Sequence, residues 1–272
     1  MSLSAPHQRY LRLLEVDGLP AGLEGLRLIV HQHLLRVPFE NVSKLLLLEA
    51  EGAGRTTALP EFLDGIEYLD LGGTCYTSNP FLAGLLLALD YDADLLAADM
   101  DQPNVHTCVR VRLGSVAYHV DVGYAAPFRQ PMRLDQLPHQ IVQGDTRYVL
   151  ERCSNGESYS MTAFRREEKV HGYVVHWPPR TLDFFRPIIL DSYVPGRTFT
   201  SSLRVTRFFE DGVVELKGPR LTSYRSGIYS ETELHSLEEL VSAVTDSLLM
   251  PRCPIEHAVR ILERLTGKPF FS

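Results

Sequence analysis

Cys75, His106 and Asp121 are residues of this 272-residue chain whose types can be assembled into an activated nucleophile. A thiol attacks as its thiolate. An imidazole beside it keeps the sulfur ionised, and a carboxylate on the far side of the ring orients the imidazole and stabilises its charged form. The chemistry open to such a trio is acyl transfer through an acyl-cysteine. Residue types alone do not choose the trio, because the chain holds 4 Cys and 10 His. The local pattern around each member has to do that.

Cys75 follows Gly72-Gly73-Thr74, where the backbone can approach a ligand closely, and precedes the apolar run Phe81-Leu82-Ala83-Gly84-Leu85-Leu86-Leu87-Ala88-Leu89. That run reads as a buried helix. A cysteine at a helix N-terminus meets the positive end of the dipole and free N–H groups, which favour a thiolate and can bind an oxyanion. The plain alternative is a small core thiol. Pro80 leaves two geometries open: a helix that starts at Cys75 with a distorted first turn, or one that starts at Pro80 with Asn79 as its cap.

The segment from His106 to Val122 reads as a β-hairpin, with two Val-rich runs of period two around Gly114-Ser115. Pairing Leu113 with Val116 puts Asp121 opposite Cys108 and His106 opposite Gly123. Side chains alternate, so His106, Cys108, Arg110, Ala117, His119 and Asp121 share one face, and Val109, Val111, Leu113, Val116, Tyr118, Val120 and Val122 share the other. The valine face is expected to be the core face. His106 and Asp121 then become diagonal neighbours at the open end, with Cβ atoms roughly 7–8 Å apart. A solvated polar face carrying two unrelated titratable groups is the competing reading, and Cys108 is a rival nucleophile on the same face.

Here the sequence resembles the arylamine N-acetyltransferase family. Leu71-Gly72-Gly73-Thr74-Cys75 and Asp121-Val122-Gly123-Tyr124 match its Arg-Gly-Gly-x-Cys and Asp-x-Gly-Phe/Tyr segments, and His33-Leu34-Leu35-Arg36-Val37-Pro38-Phe39-Glu40-Asn41 matches its N-terminal signature. Asp183-Phe184-Phe185 and Pro195-Gly196-Arg197-Thr198-Phe199 resemble weaker landmarks. The resemblance implies Cys75 as nucleophile, His106 as base, Asp121 as orienting carboxylate, acetyl-coenzyme A as acyl donor and a small amine as acceptor. It also implies a papain-like core built from a helical bundle, a β-barrel and an α/β lid. The chain departs from the pattern at Leu71, where the family has arginine, at Thr74, at Ala125 and Ala126 after Tyr124, and at Arg197. These departures bear on the donor and acceptor, and an amide synthase using another acyl thioester is an alternative. A cysteine peptidase or transglutaminase-like enzyme would use the same trio, and a binding module could retain it without catalysis.

Composition agrees with an enzyme of small molecules. The hydrophobic content of 44% is enough for a sizeable core, and the formal net charge of −7 excludes a nucleic-acid partner, which needs a basic face. Coenzyme A is itself an anion, so local positive charge is required, and Arg197, Arg204, Lys217 and Arg220 are candidates. Phe39, Tyr76, Tyr124 and Phe199 are candidates to line an aromatic acceptor pocket. No apolar run approaches the roughly 18 residues of a membrane helix, and no signal layout opens the chain, so a cytoplasmic protein is expected. The four cysteines show no CxxC pairing, and His31 and His33 do not share a helix face, so neither disulfides nor a metal is expected.

The order of elements is α+β. Residues 1–90 read as a helical domain carrying the nucleophile, 91–190 as a β-barrel domain carrying His106 and Asp121, and 191–272 as an α/β lid. Helices are expected over Gln8–Glu15 and Leu23–Leu35. Strands are expected from about residue 104: the hairpin, then Thr146–Glu151, Ser158–Phe164 and Val170–Val175, with a break at Trp177-Pro178-Pro179. A second hairpin is expected around Glu210-Asp211-Gly212, and closing helices over Ser236–Leu248 and Ile255–Leu265. The acidic cluster Asp90, Asp92, Asp94, Asp99 and Asp101 is expected to be a solvated loop.

Overall fold

Helices fill the first third of the chain and strands most of the remainder. The computed structural model describes residues 3–154, 156 and 158–271. Five helices come first: α1 (Ala5–Leu13), α2 (Gly22–Arg36), α3 (Val42–Glu51), α4 (Leu59–Leu69) and α5 (Cys75–Ala88), with the short strand β1 (Phe39–Glu40) between α2 and α3. Strands β2 (Asp92–Asp99), β3 (His106–Leu113), β4 (Val116–Val120), β5 (Met132–Arg133), β6 (His139–Gln143), β7 (Thr146–Arg152), β8 (Ser158–Arg165) and β9 (Glu168–Pro179) follow. After the short helices α6 (Arg186–Asp191) and α7 (Thr198–Ser201) come β10 (Arg204–Phe209), β11 (Gly212–Lys217), β12 (Arg220–Arg225) and β13 (Ile228–Glu233), then α8 (Leu237–Ser242) and α9 (Ile255–Thr266).

By its contacts the chain divides into two compact units, each made of two segments. One joins the residues up to Leu34 with Cys75–Phe185; the other joins Leu35–Thr74 with the chain from Arg186 onward. The helices of the first ninety residues are therefore shared between the two, and the chain passes from one unit to the other between Thr74 and Cys75.

In the first unit, β2 to β9 form one sheet in the order β5-β4-β3-β2-β9-β8-β7-β6. Its edge strands β5 and β6 are consecutive in the chain, separated only by Leu134–Pro138, so the sheet must curl until its edges nearly meet. His139 Nε2 to Arg133 O at 2.7 Å and Arg152 Nη2 to Leu134 O at 3.1 Å bridge that seam. The β3–β4 hairpin has the expected register, from Leu113 opposite Val116 to Val109 opposite Val120. Its polar face is not solvated, however. His106, Cys108, His119 and Asp121 are as buried as Val109, Val111 and Val120. The reason is closure: one face of a barrel strand meets the interior, here packed by Cys108, Phe128, Tyr159, Met161 and Tyr173, while α5 packs across β2 and β3.

Three expectations are corrected here. Asp92, Asp94 and Asp99 are not in a loop but on β2, with Asp90 and Asp101 in the exposed turns on either side, and Asp92 and Asp94 lie directly opposite Arg112 and Arg110 on β3. Arg112 Nε is 2.6 Å from Asp92 and Arg110 Nε 3.1 Å from Asp94, so the charges form cross-strand pairs while Ala93, Leu96 and Ala98 supply the buried positions. Trp177-Pro178-Pro179 does not break β9 either. Pairing with β8 has ended by His176, and Pro179 faces β2 across a register shift, so the missing proline N–H groups fall where the ladder does not need them. The third correction is the unforeseen β12–β13 hairpin, whose last strand is exposed along its whole length and therefore has no apolar face to reveal it.

The second unit carries the antiparallel sheet β1-β10-β11-β12-β13. Val42 and Leu45 of α3, Leu71, Val205, Leu216, Leu248 and the Ile255, Val259 and Leu262 stripe of α9 form its core. The expected helix over Ser236–Leu248 is α8 followed by a π-helical turn at Ala243–Ser247, with Ser236 Oγ accepting from Glu239 N at 3.2 Å as its cap. No helix among the described residues is long and apolar enough to cross a membrane.

In α2, His33 is fully buried edge-on against Tyr10, and burial pushes its imidazole down to about 3. A buried neutral histidine is protonated more readily in the unfolded chain, so stability is lost as pH falls from about 6.5 towards 3. The loss from His33 between pH 6.5 and 4 is on the order of 3 kcal/mol. His33→Phe is expected to flatten the fall of melting temperature over that range; an unaltered slope would remove His33 as its cause.

Candidate active site

α5 starts at Cys75 and continues through Pro80, so of the two geometries open in the sequence the first is found. Asn79 does not cap the helix. Its Nδ2 donates to Thr107 O at 2.5 Å and to Asp121 Oδ1 at 2.9 Å, and its Oδ1 accepts from Val122 N at 3.0 Å. One side chain thus ties the first turns of α5 to both strands of the β3–β4 hairpin. Thr107 Oγ1 donates to Cys75 O at 2.8 Å, a second tie at the same place.

His106 Nε2 is 2.8 Å from Asp121 Oδ2, and the Cys75 thiol lies near enough to the ring to favour its charged form. Asp121 receives four donors: His106 Nε2 and the Tyr173 hydroxyl on Oδ2, both at 2.8 Å, and Asn79 Nδ2 and Gly123 N, at 3.0 Å, on Oδ1. Gly123 stands where it does because nothing larger fits. A Cβ there would lie 2.6 Å from Cys75 Cα and 2.8 Å from Asn79 Nδ2.

Burial by itself would discharge this group. For His106 the desolvation penalty is outweighed by the charge and hydrogen bond of Asp121, with the Cys75 thiol adding to them, and its pKa is raised to about 10. For Asp121 burial pulls upward, but the charge and hydrogen bond of His106 and the Asn79 hydrogen bond hold the carboxyl below its usual range. An imidazolium and a carboxylate therefore coexist out of water beside a thiol at a helix N-terminus, an arrangement suited to a cysteine nucleophile.

Solved structures share the whole fold. The arylamine N-acetyltransferase of Mycobacterium abscessus superposes with a TM-score of 0.80 at 18% identity, over 96% of this chain and 95% of its own. The Mycobacterium marinum enzyme, solved in complex with CoA, gives 0.79 at 21% over 96% and 99%, and that of Salmonella typhimurium 0.77 at 18% over 98% and 99%. No curated protein sequence matches the chain. A family model described as N-acetyltransferase matches residues 22–249. The chain belongs to the arylamine N-acetyltransferase family.

As an N-acetyltransferase the chain carries its other expected site residues in several places. Tyr124 packs edge-on against His106, with centroids 5.1 Å apart, and its hydroxyl is 2.6 Å from His171 Nδ1. Tyr76 is buried, donates to Asn104 O at 3.0 Å and packs on Phe185. Phe39 and Phe199 form a ring pair 6.0 Å apart in the second unit. Arg197 is half-exposed and paired with Asp191 at 2.6 Å, and Arg220 lies 3.5 Å from Glu233. The rival thiol, Cys108, is sealed in the barrel interior, and burial pushes it well up.

Leu71, where the family pattern has arginine, is part of the apolar core of the second unit. In that unit Glu40 is fully buried and accepts from Gly72 N at 3.1 Å and Ser43 N at 2.8 Å, so main-chain donors bind the carboxyl that holds the Gly72-Gly73 turn. Asn79, Tyr173 and Thr107 were missed in the sequence. Only Asn79 left a trace there, as an amide in an awkward place before a proline. Among the described residues no group of His, Cys, Asp or Glu is placed to hold a metal ion.

Proposed function

We propose that this chain transfers an acetyl group from acetyl-coenzyme A to the nitrogen of an arylamine or hydrazine, in two steps through an acyl-Cys75 intermediate. The observation that carries the reading is Asp121 with four donors on its two oxygens, one of them His106, which in turn meets the Cys75 thiol. The thiolate attacks the thioester carbonyl, and free N–H groups of the first turn of α5 face the oxyanion. The bond to the coenzyme sulfur breaks, and that sulfur leaves with the proton from His106. A neutral amine then attacks the acyl-cysteine, His106 takes its proton, and the Cys75 thiolate is released.

The CoA complex of the Mycobacterium marinum relative supports a coenzyme A thioester as donor here. Tyr76 and Tyr124, in the unit that holds Cys75, are proposed to line the acceptor pocket. By element type, residues 1–90 supply the nucleophile and 91–190 the base and carboxylate, and residues 191–272 form an α/β part of the chain. A reducing compartment such as the cytoplasm suits the free thiols.

The test is the intact mass of the wild type and of Cys75→Ala after incubation with acetyl-coenzyme A and no acceptor. One acetyl group is expected on the wild type and none on the variant. No gain on either would assign another thioester or a peptide as donor, and a gain on both would move the nucleophile elsewhere.

A further inference from the structure

His119 lies inside the barrel, fully buried, and both of its ring nitrogens are engaged. Nδ1 is 3.1 Å from the Tyr159 hydroxyl and Nε2 is 3.0 Å from the Tyr173 hydroxyl, which in turn is 2.8 Å from Asp121 Oδ2. The proton count fixes a direction through this row. A carboxylate only accepts, so the single Tyr173 proton goes to Asp121 and the Tyr173 oxygen accepts from His119 Nε2–H. A neutral imidazole with its hydrogen on Nε2 has a lone pair at Nδ1, so Tyr159 donates there. Every proton from Tyr159 through His119 and Tyr173 points towards the oxygen that also receives His106 Nε2–H.

The surroundings keep His119 neutral, as this order requires. Burial outweighs the attraction of Asp121, and the charges of His106 and His139 add to it, so the imidazole is lowered to about 4. Arg110, directly across the ladder, is already paired with Asp94. A protonated His119 would present a hydrogen to Tyr159 as well and reverse one link.

We propose that neutral His119 is a positioning residue of the acyl transfer: through its Nε2–H it commits the Tyr173 proton to Asp121, and so keeps the carboxylate charged beneath His106. The catalytic part of this statement rests on the acyltransferase reading; the proton order does not. Aligned hydrogen bonds strengthen one another, and each donor on Asp121 favours its charged form, which holds His106 protonated beside the thiol.

The experiment is the rate of iodoacetamide alkylation at Cys75 against pH, read by peptide mass, for the wild type, His119→Leu, His119→Gln and Tyr159→Phe, with thermal unfolding as the check on folding. Glutamine offers an N–H donor and a carbonyl acceptor where neutral histidine has its N–H and its lone pair; leucine carries neither. His119→Leu is expected to react about tenfold more slowly at pH 7 with its profile moved to higher pH, and His119→Gln to stay within about threefold of wild type. Tyr159→Phe, which removes only the donor to Nδ1, is expected to fall between them. A folded leucine variant with the wild-type profile overturns the proposal, and so does a glutamine variant as slow as leucine. If leucine prevents folding, glutamine and Tyr159→Phe decide by the same criteria. Wild type that resists acetyl-coenzyme A yet shows these shifts sinks the donor assignment and leaves the role of His119 standing.

Discussion

Asp121→Asn is expected to keep the fold and slow the acylation of Cys75 by about three to four orders of magnitude. The cause is that each carboxylate oxygen already receives two donors: His106 and Tyr173 on Oδ2, Asn79 and Gly123 on Oδ1. An asparagine amide must turn its NH2 towards one of these pairs, and neither orientation avoids a clash of donors. If NH2 faces His106, the ring offers a lone pair at Nε2 and carries its proton at Nδ1. It can then no longer take a proton from the thiol. Single-turnover acetylation followed by intact mass reads the loss, and an unchanged rate would remove Asp121 from the mechanism.

The same variant has a pH signature. The pKa of His106 is raised from 6.5 to about 10, so the stability it contributes is fully present below pH 6.5 and is lost as pH rises towards 10. The gap in melting temperature between wild type and Asp121→Asn is expected to narrow over that window. A gap that stays constant from pH 6 to 10 would mean that the imidazolium is not what Asp121 stabilises.

Gly123→Ala is expected to lower the acylation rate by about a hundredfold and to destabilise the protein by about 1–3 kcal/mol. The added methyl would stand 2.6 Å from Cys75 Cα, 2.8 Å from Asn79 Nδ2 and 3.1 Å from Cys75 Cβ, so the start of α5 or the strand end has to move. Either movement displaces the nucleophile from His106. Gly84→Ala, in the same helix with no heavy atom within 4 Å of its Cβ position, serves as the control and is expected to be neutral or mildly stabilising. Equal melting temperatures and rates in the two variants would show that the contact at Gly123 relaxes freely.

The hairpin that brings His106 to Asp121 was legible because its information is local: a two-residue turn and a period of two determine which side chains become neighbours. The helix behind Cys75 was legible for a similar reason, as an unbroken apolar run. What lies behind the polar face of the hairpin was not, because strands look alike whether that face meets water or a barrel interior. The charges of Asp90, Asp92, Asp94, Asp99 and Asp101 point to a loop, since the partners that make two of them ordinary, Arg110 and Arg112, sit on the next strand.

From the sequence alone came the nucleophile, the base, the carboxylate and the register that joins the last two, together with the family that the motifs resemble. The tertiary structure alone decided what holds that carboxylate. Asn79 and Tyr173 reach Asp121 across 42 and 52 residues of chain, and His119 touches Tyr159 across 40. No periodicity or turn rule encodes such meetings; they exist only once a sheet has curled nearly into a barrel and closed its interior around them.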